Sequence, residues 1–217
     1  CGTLRMNKTC RAYTYACEVI RGDVSAPQYV KLQCAEFKTI ADGYDTQFMV
    51  NEKHLRKVSA VLKLMVLPKG LSAGKSVYQS AVGYQWLFWV SVLCVVWREE
   101  PKRRRYESAL LEIARKNFKT YTIAILFLLL LLTEPDFSKL FSVAPEGSLS
   151  REVRNAIVEI IQSSPPLRED NIFKIRRDDI LCNLNHNDYI PLNYSNSRLD
   201  GRLPSAFLVD EAGALPN

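Results

Sequence analysis

The sequence predicts a layered α/β fold preceded by a helical region, and three observations carry that prediction. The first stretch is polar and amphipathic at helical spacing. From about residue 81 long apolar stretches alternate with helical patterns. The last fifty or so residues break into short strand-like pieces. The change of character divides the chain into a helical N-terminal region, 1–80, and a core, 81–217.

Taken in order, Tyr15, Val19 and Ile20 share one helical face, and Gly22-Asp23 is a stop signal. Tyr29, Leu32, Ala35 and Glu36 begin a second periodic stretch that breaks at Asp42-Gly43. Val61 to Leu67, closed by Pro68, reads as a short strand. Pro68 to Ser80, with Gly70 and Gly74, reads as a loop. Ser108 to Ala114 is a second strand candidate, and Tyr121 to Leu132 is a uniformly apolar helix stopped before Pro135. Leu140 to Ala144 follows as a strand. Val153, Ala156, Ile157, Ile160 and Ile161 then mark one face of a helix over Arg151 to Ile161 that ends at Pro165-Pro166. Strand-like pieces close the chain at Ile172–Ile175, Ile180–Leu184, Tyr189–Leu192 and Ala206–Val209.

Composition narrows the function. At 217 residues, with 47% apolar and 24% charged residues, the chain is an ordinary globular protein, not a disordered tail, collagen or rod. The apolar runs Trp86–Trp97 and Ile123–Leu132 fall short of the roughly 20 residues that cross a bilayer, so both read as core and no membrane partner is expected. Nothing at the N-terminus reads as a signal peptide, and the start at Cys1 suggests a piece of a longer chain. The six cysteines include no CxxC pair and there are two histidines, so a structural zinc site is disfavoured and a reducing compartment is expected. The net charge of +6 favours an anionic partner such as a nucleotide or nucleic acid.

Two segments compete as a phosphate loop. Gly70-Leu71-Ser72-Ala73-Gly74-Lys75-Ser76 has three residues between its glycines where the Walker A pattern needs four, and no strong helical stripe follows it. Ala114-Arg115-Lys116-Asn117-Phe118-Lys119-Thr120 contains no glycine but has the better context, a strand candidate before it and a long apolar helix after it. A helix start there would aim free N–H groups and the positive dipole end at a phosphate. Lys119 would reach the β/γ-phosphates and the Thr120 hydroxyl would ligate Mg²⁺. Phe207-Leu208-Val209-Asp210-Glu211 runs apolar residues into two carboxylates, as at the C-terminal tip of a buried parallel strand. Asp210 could hold Mg²⁺ and Glu211 could polarise an attacking water.

These residues resemble the large terminase subunit of tailed bacteriophages, the ATPase that packages DNA into procapsids. The segments that carry the resemblance are 114–120, Ser-Val-Ala-Pro-Glu-Gly at 142–147 and Leu-Asp-Gly-Arg-Leu-Pro-Ser-Ala-Phe-Leu-Val-Asp-Glu at 199–211, with weaker support at Tyr29–Leu32 and from Lys69 to Trp86. The first resembles the family's deviant Walker A and the last its Walker B with the adjoining glutamate. The resemblance implies a P-loop NTPase-type, mostly parallel sheet flanked by helices, with ATP and Mg²⁺ bound. It implies that Gln85 reads adenine, that residues 115–120 cradle the phosphates, that Arg115 steadies charge on the γ-phosphate and that Thr120 and Asp210 serve the metal. Glu211 and Arg115 would be the catalytic pair. Double-stranded DNA, a portal protein and a small terminase subunit are the implied partners, in a possible homo-oligomeric ring in the host cytoplasm. Two departures stand out. Phe118 occupies the place where the family has glycine before the lysine, and the coupling motif and nuclease domain that should follow Glu211 lie outside this chain. Phe118 keeps open an alternative, a non-hydrolysing NTPase-like assembly module that binds DNA or partner proteins. Lys102–Arg105 reads either as a contact to DNA phosphates or as a solvated loop, and Asp178-Asp179 as a solvated turn.

Overall fold

In the structure, a computed structural model, the described residues are 10–70, 72–114, 116–144, 147–193 and 204–209. The chain folds as two units, one comprising Cys1–Ala60 with Ala81–Glu112, the other Val61–Ser80 with Ile113–Asn217. The chain passes between them at 60/61, 80/81 and 112/113; the expected division was a single one, after residue 80.

In the first unit α1 (Arg11–Arg21) and α2 (Gln28–Ala41) pack with α5 (Gly83–Cys94). Left-handed Gly22 ends α1 as the sequence indicates, its N–H and that of Asp23 turning back to Val19 and Glu18 carbonyls. Gly83 opens α5 because nothing larger fits: a Cβ there would lie 2.2 Å from the Tyr15 ring. The apolar run 86–97 is buried as expected, but it divides into the end of α5 and strand β2 (Val95–Trp97), which pairs antiparallel with β1 (Phe48–Val50). α3 (Glu52–Leu64) extends past residue 60, so four of the seven residues expected as a strand at 61–67 are helical.

The basic run 102–105 lies along this ribbon, with Lys102 and Arg103 exposed and Arg104 and Arg105 half-buried. Arg104 pairs with Val96, Arg103 lies over Trp97 at 5.1 Å and meets Glu107 at 3.2 Å, and Arg105 stacks on Phe48 at 4.2 Å while pairing with Glu36.

In the second unit the strands order β4-β5-β6-β3-β7. These are β3 (Lys139–Ala144), β4 (Phe173–Ile175), β5 (Ile180–Cys182), β6 (Asp188–Asn193) and β7 (Ala206–Val209). β6, β3 and β7 pair parallel, whereas β4-β5 and β5-β6 pair antiparallel, so β5 alone runs against the other strands and the sheet is mixed. The antiparallel half follows from short connections: a four-residue turn joins β4 to β5, too short for a parallel crossover. That turn holds Asp178-Asp179, with Arg176 bound to Asp179 at 3.0 Å.

α6 (Lys119–Thr133) and α7 (Gly147–Ser163) accompany the sheet, with the short α4 (Val77–Ser80) and α8 (Pro165–Glu169). Ten consecutive residues of α6, Thr122–Leu131, are buried, each large side chain contributing roughly 2 kcal/mol of transfer free energy. All five apolar positions read on α7 are buried.

Ser108–Ala114 is not a strand. Leu110 is 89% exposed and Glu112 interrupts the run, so the segment lacks the two apolar faces that a strand inside a parallel sheet must bury. β7 likewise alternates half-buried and exposed residues, with Phe207 and Val209 both exposed, and is not the buried strand expected. Among the described residues no helix is long and apolar enough to cross a membrane, no three His, Cys, Asp or Glu side chains gather as a metal site, and Cys34, Cys94 and Cys182 are buried free thiols.

Candidate functional site

The site is built around the entrance to α6. Because α6 is apolar on every side, its position along its own axis is fixed at its ends. At the C-terminal end, two asparagines just before β6 hold it. Asn185 donates to the Leu131 carbonyl at 2.8 Å, and Asn187 donates to the Leu131 and Glu134 carbonyls at 3.1 and 3.3 Å. The Asn187 Oδ1 accepts from Ser138 N at 2.7 Å, at the start of β3. The helix therefore ends where β3 and β6 begin. A 15-residue helix is about 22 Å long and a six-residue strand about 20 Å. Phe127 meets Tyr189 of β6 at 5.1 Å along the way. The start of α6 consequently lies at the level of the C-terminal ends of β3, β6 and β7, the end of a parallel sheet where ligands bind.

The loop into α6 is backbone-strained. Lys116 (φ 66°) and Phe118 (φ 58°) are both left-handed without being glycine, at roughly 1 kcal/mol or more each. Such turns direct successive N–H groups into one concavity suited to an anion. Among the described residues no side chain caps the helix and its first turn carries no acid; Thr122 N donates to the Phe118 carbonyl at 2.9 Å. The N–H groups of Thr120 and Tyr121 lie ahead of that bond in the first turn, and about half a positive charge concentrates at this mouth. Lys119 and Thr120 are half-buried; Lys116 and Asn117 are exposed, and the Asn117 amide donates to the Ala114 carbonyl at 3.3 Å.

A second segment presses on this loop. Residues 66–70 and 72–76 turn back on each other, with Val66 paired to Ser76, Leu67 N bound to the Lys75 carbonyl at 3.1 Å and Gly74 N to the Leu67 carbonyl at 2.9 Å. This is the rival phosphate segment of the sequence reading. Its own hydrogen bonds close the glycine turn on itself, and only the four-residue α4 follows. Gly70 sits against the Phe118 ring, and Lys69 binds Glu159 of α7 at 2.6 Å. Glu159 also accepts from the Tyr121 hydroxyl. Lys69 and then Tyr121 hold the Glu159 carboxyl below its ordinary range. Burial, followed by the bond to Glu159, pushes the Tyr121 phenol well up. Sequence reasoning missed this tie, since a lone glutamate on an amphipathic helix gives no signal of its partners.

Of the expected site residues, Lys116, Asn117, Phe118, Lys119 and Thr120 come together at the mouth of α6 in the second unit. Gln85 belongs to the first unit. It is 8% exposed at the third position of α5, and its Oε1 accepts from Val82 N at 3.0 Å. Arg115, Asp210 and Glu211 lie outside the described residues. The donor set fits a phosphate, because the mouth offers backbone donors and positive potential with no acid in the helix's first turn. For Mg²⁺ the described residues offer Thr120.

Three comparisons bear on this site. Residues 84–217 match the family described as terminase large subunit, ATPase domain. No curated protein matches the sequence. The fold is similar to the crystal structure of the HK97 bacteriophage large terminase, with a TM-score of 0.58 and 23% identity over 73% of this chain and 31% of that one. The chain thus spans about a third of the HK97 protein's length.

Proposed function

The chain belongs to the terminase large subunit ATPase-domain family, and on that premise we propose that it is the ATP-hydrolysing part of a phage DNA-packaging motor. The observation that carries the reading is the uncapped start of α6, entered through two left-handed non-glycine residues, at the ligand-binding end of the sheet. β7 leads into Asp210 and Glu211 and runs parallel to β3, so its last described residue, Val209, lies at that same end.

In this proposal the N–H groups of residues 116–120 and the Lys119 ammonium bind the phosphates, and Arg115 steadies the charge that develops on the γ-phosphate. Glu211 orients a water for in-line attack. Thr120 and Asp210 are the residues that would hold Mg²⁺, which neutralises charge on the β- and γ-oxygens when bound. Gln85 is the residue that would read an adenine edge through its amide. Double-stranded DNA is the cargo, and portal protein, small terminase subunit and further copies in a ring are the partners, in the host cytoplasm. Phe118 argued for a non-hydrolysing module on the ground that a Cβ restricts the backbone. Its φ of 58° is nevertheless the glycine-like conformation, and the ring turns onto Gly70, which supports the hydrolase reading.

The test is ATP·Mg²⁺ binding and DNA-stimulated hydrolysis by the full-length protein. Lys119→Ala is expected to abolish both and Lys75→Ala to leave both intact. The reverse pattern moves the site to the 66–76 segment.

A further inference from the structure

The loop before α6 takes a shape that glycine adopts freely, without having a glycine. Phe118 holds φ 58°, a region where a Cβ is ordinarily penalised, so something outside the loop must stabilise it there. The surroundings identify that support. A Cβ built on Gly70 would lie 3.0 Å from Phe118 Cζ and 3.3 Å from Cε1, so the ring rests on the bare Cα of residue 70. The ring also stands 6.3 Å from that of Tyr121. Gly70 is fixed in turn: it is left-handed itself (φ 86°), its carbonyl accepts from Ala73 N at 3.0 Å, and its neighbour Lys69 is tied through Glu159 to Tyr121. Ring, bare Cα and the Lys69–Glu159–Tyr121 brace meet at the first turn of α6, where Phe118 remains half exposed.

We propose that Gly70 and Phe118 are a matched pair of positioning residues: the glycine missing from the phosphate loop is supplied 48 positions upstream, where it seats the ring that holds the loop in its left-handed shape. The inference rests on the phosphate-loop reading above. It assigns the 66–76 segment, which binds no phosphate in that reading, the task of shaping the loop that does.

The pairing predicts an order of affinities that a general structural role does not. Phe118→Ala keeps the backbone penalty and loses the ring, so ATP·Mg²⁺ binding by the full-length protein should weaken about tenfold. Phe118→Gly loses the ring but also the penalty, and should bind within about threefold of the parent. Gly70→Asn, chosen because asparagine tolerates left-handed backbone, adds a Cβ under the ring. It should weaken binding about fivefold in the parent and less than twofold in the Phe118→Gly background.

Calorimetric titration reads these affinities, and hydrogen exchange at the 119–121 amides reads the loop without nucleotide. Phe118→Ala binding like the parent, Phe118→Gly no better than Phe118→Ala, or a Gly70→Asn effect equal in both backgrounds would each overturn the pairing. A parent that binds no ATP sinks the functional reading instead, and the exchange cycle then decides the pairing. Faster exchange caused by Gly70→Asn in the parent alone supports it, and equal acceleration in both backgrounds refutes it.

Discussion

Asn187→Ala tests the claim that α6 is held by its C-terminal end. The side chain is fully buried and serves both as donor and as acceptor. Its removal leaves the Ser138 N–H without its 2.7 Å acceptor in a site where Ser138 is itself buried, and takes one donor each from the Leu131 and Glu134 carbonyls. Leu131 keeps its bond from Asn185. One stranded buried donor costs about 1–3 kcal/mol and each of the two lost ordinary bonds about 0.5–1.5 kcal/mol, so the sum is about 4 kcal/mol. For a chain of this size that is a fall of about 8–16 °C in the midpoint of the transition that melts the sheet unit. Thermal unfolding followed by far-UV circular dichroism measures it. Asn183→Ala is the control, because the Asn183 amide donates to the Asn171 carbonyl at 2.8 Å at the exposed surface, and its loss should cost less than about 1 kcal/mol. If Asn187→Ala costs no more than Asn183→Ala, the asparagine bracket is not what anchors the helix, and the placement of its start loses its support.

Three further outcomes are expected. Glu211→Gln should retain ATP binding in the full-length protein while hydrolysis falls by at least about a hundredfold, because a positioned base contributes that much; single-turnover assays separate the two. His54 is pushed down to about 4, first by burial and then by Arg104 and Lys57, and its buried Nε2 has no hydrogen-bond partner among the described residues. The unfolded chain, near 6.5, therefore takes up a proton that the folded chain refuses, and stability falls as pH drops from about 6.5 toward 4, by on the order of 2 kcal/mol. Urea midpoints at pH 7 and pH 5 should show this loss and His54→Leu should flatten it. Glu159→Gln should release Lys69 and raise proteolytic susceptibility at residues 66–76 without unfolding the chain, since the pair it breaks is partly exposed.

The fold was legible where one face or one run decides it. Thr122–Leu131 has no polar side and could only be a buried helix, and the five apolar positions of α7 recur at helical spacing. The terminal strands were legible as pieces but not as a sheet, because strand direction depends on connection and not on apolar content. Thus β4 and β5 gave no sign of running antiparallel. Val61–Leu67 misled because a short apolar run fits either class, and here it continues α3. Ser108–Ala114 has the apolar content of a strand, but with Leu110 and Glu112 exposed it has no second face to bury. At the candidate site the loop 116–120 could be identified by its residues and context. Its support could not, since Gly70 meets Phe118 across 48 positions and Lys69 meets Glu159 across 90. An isolated glycine and an isolated glutamate leave no periodic trace.

The featureless flanks of α6 also set what this segment can tolerate over time. With no polar stripe to index its rotation, exchanges among leucine, isoleucine and methionine along it should be nearly silent. Removing a single residue between Tyr121 and Leu131 would turn one end against the other by about 100° and draw it in by about 1.5 Å. Both ends are tethered to other parts of the unit, so neither can follow. The spacing between the two tethers, more than the identity of the side chains between them, is what inheritance has to preserve.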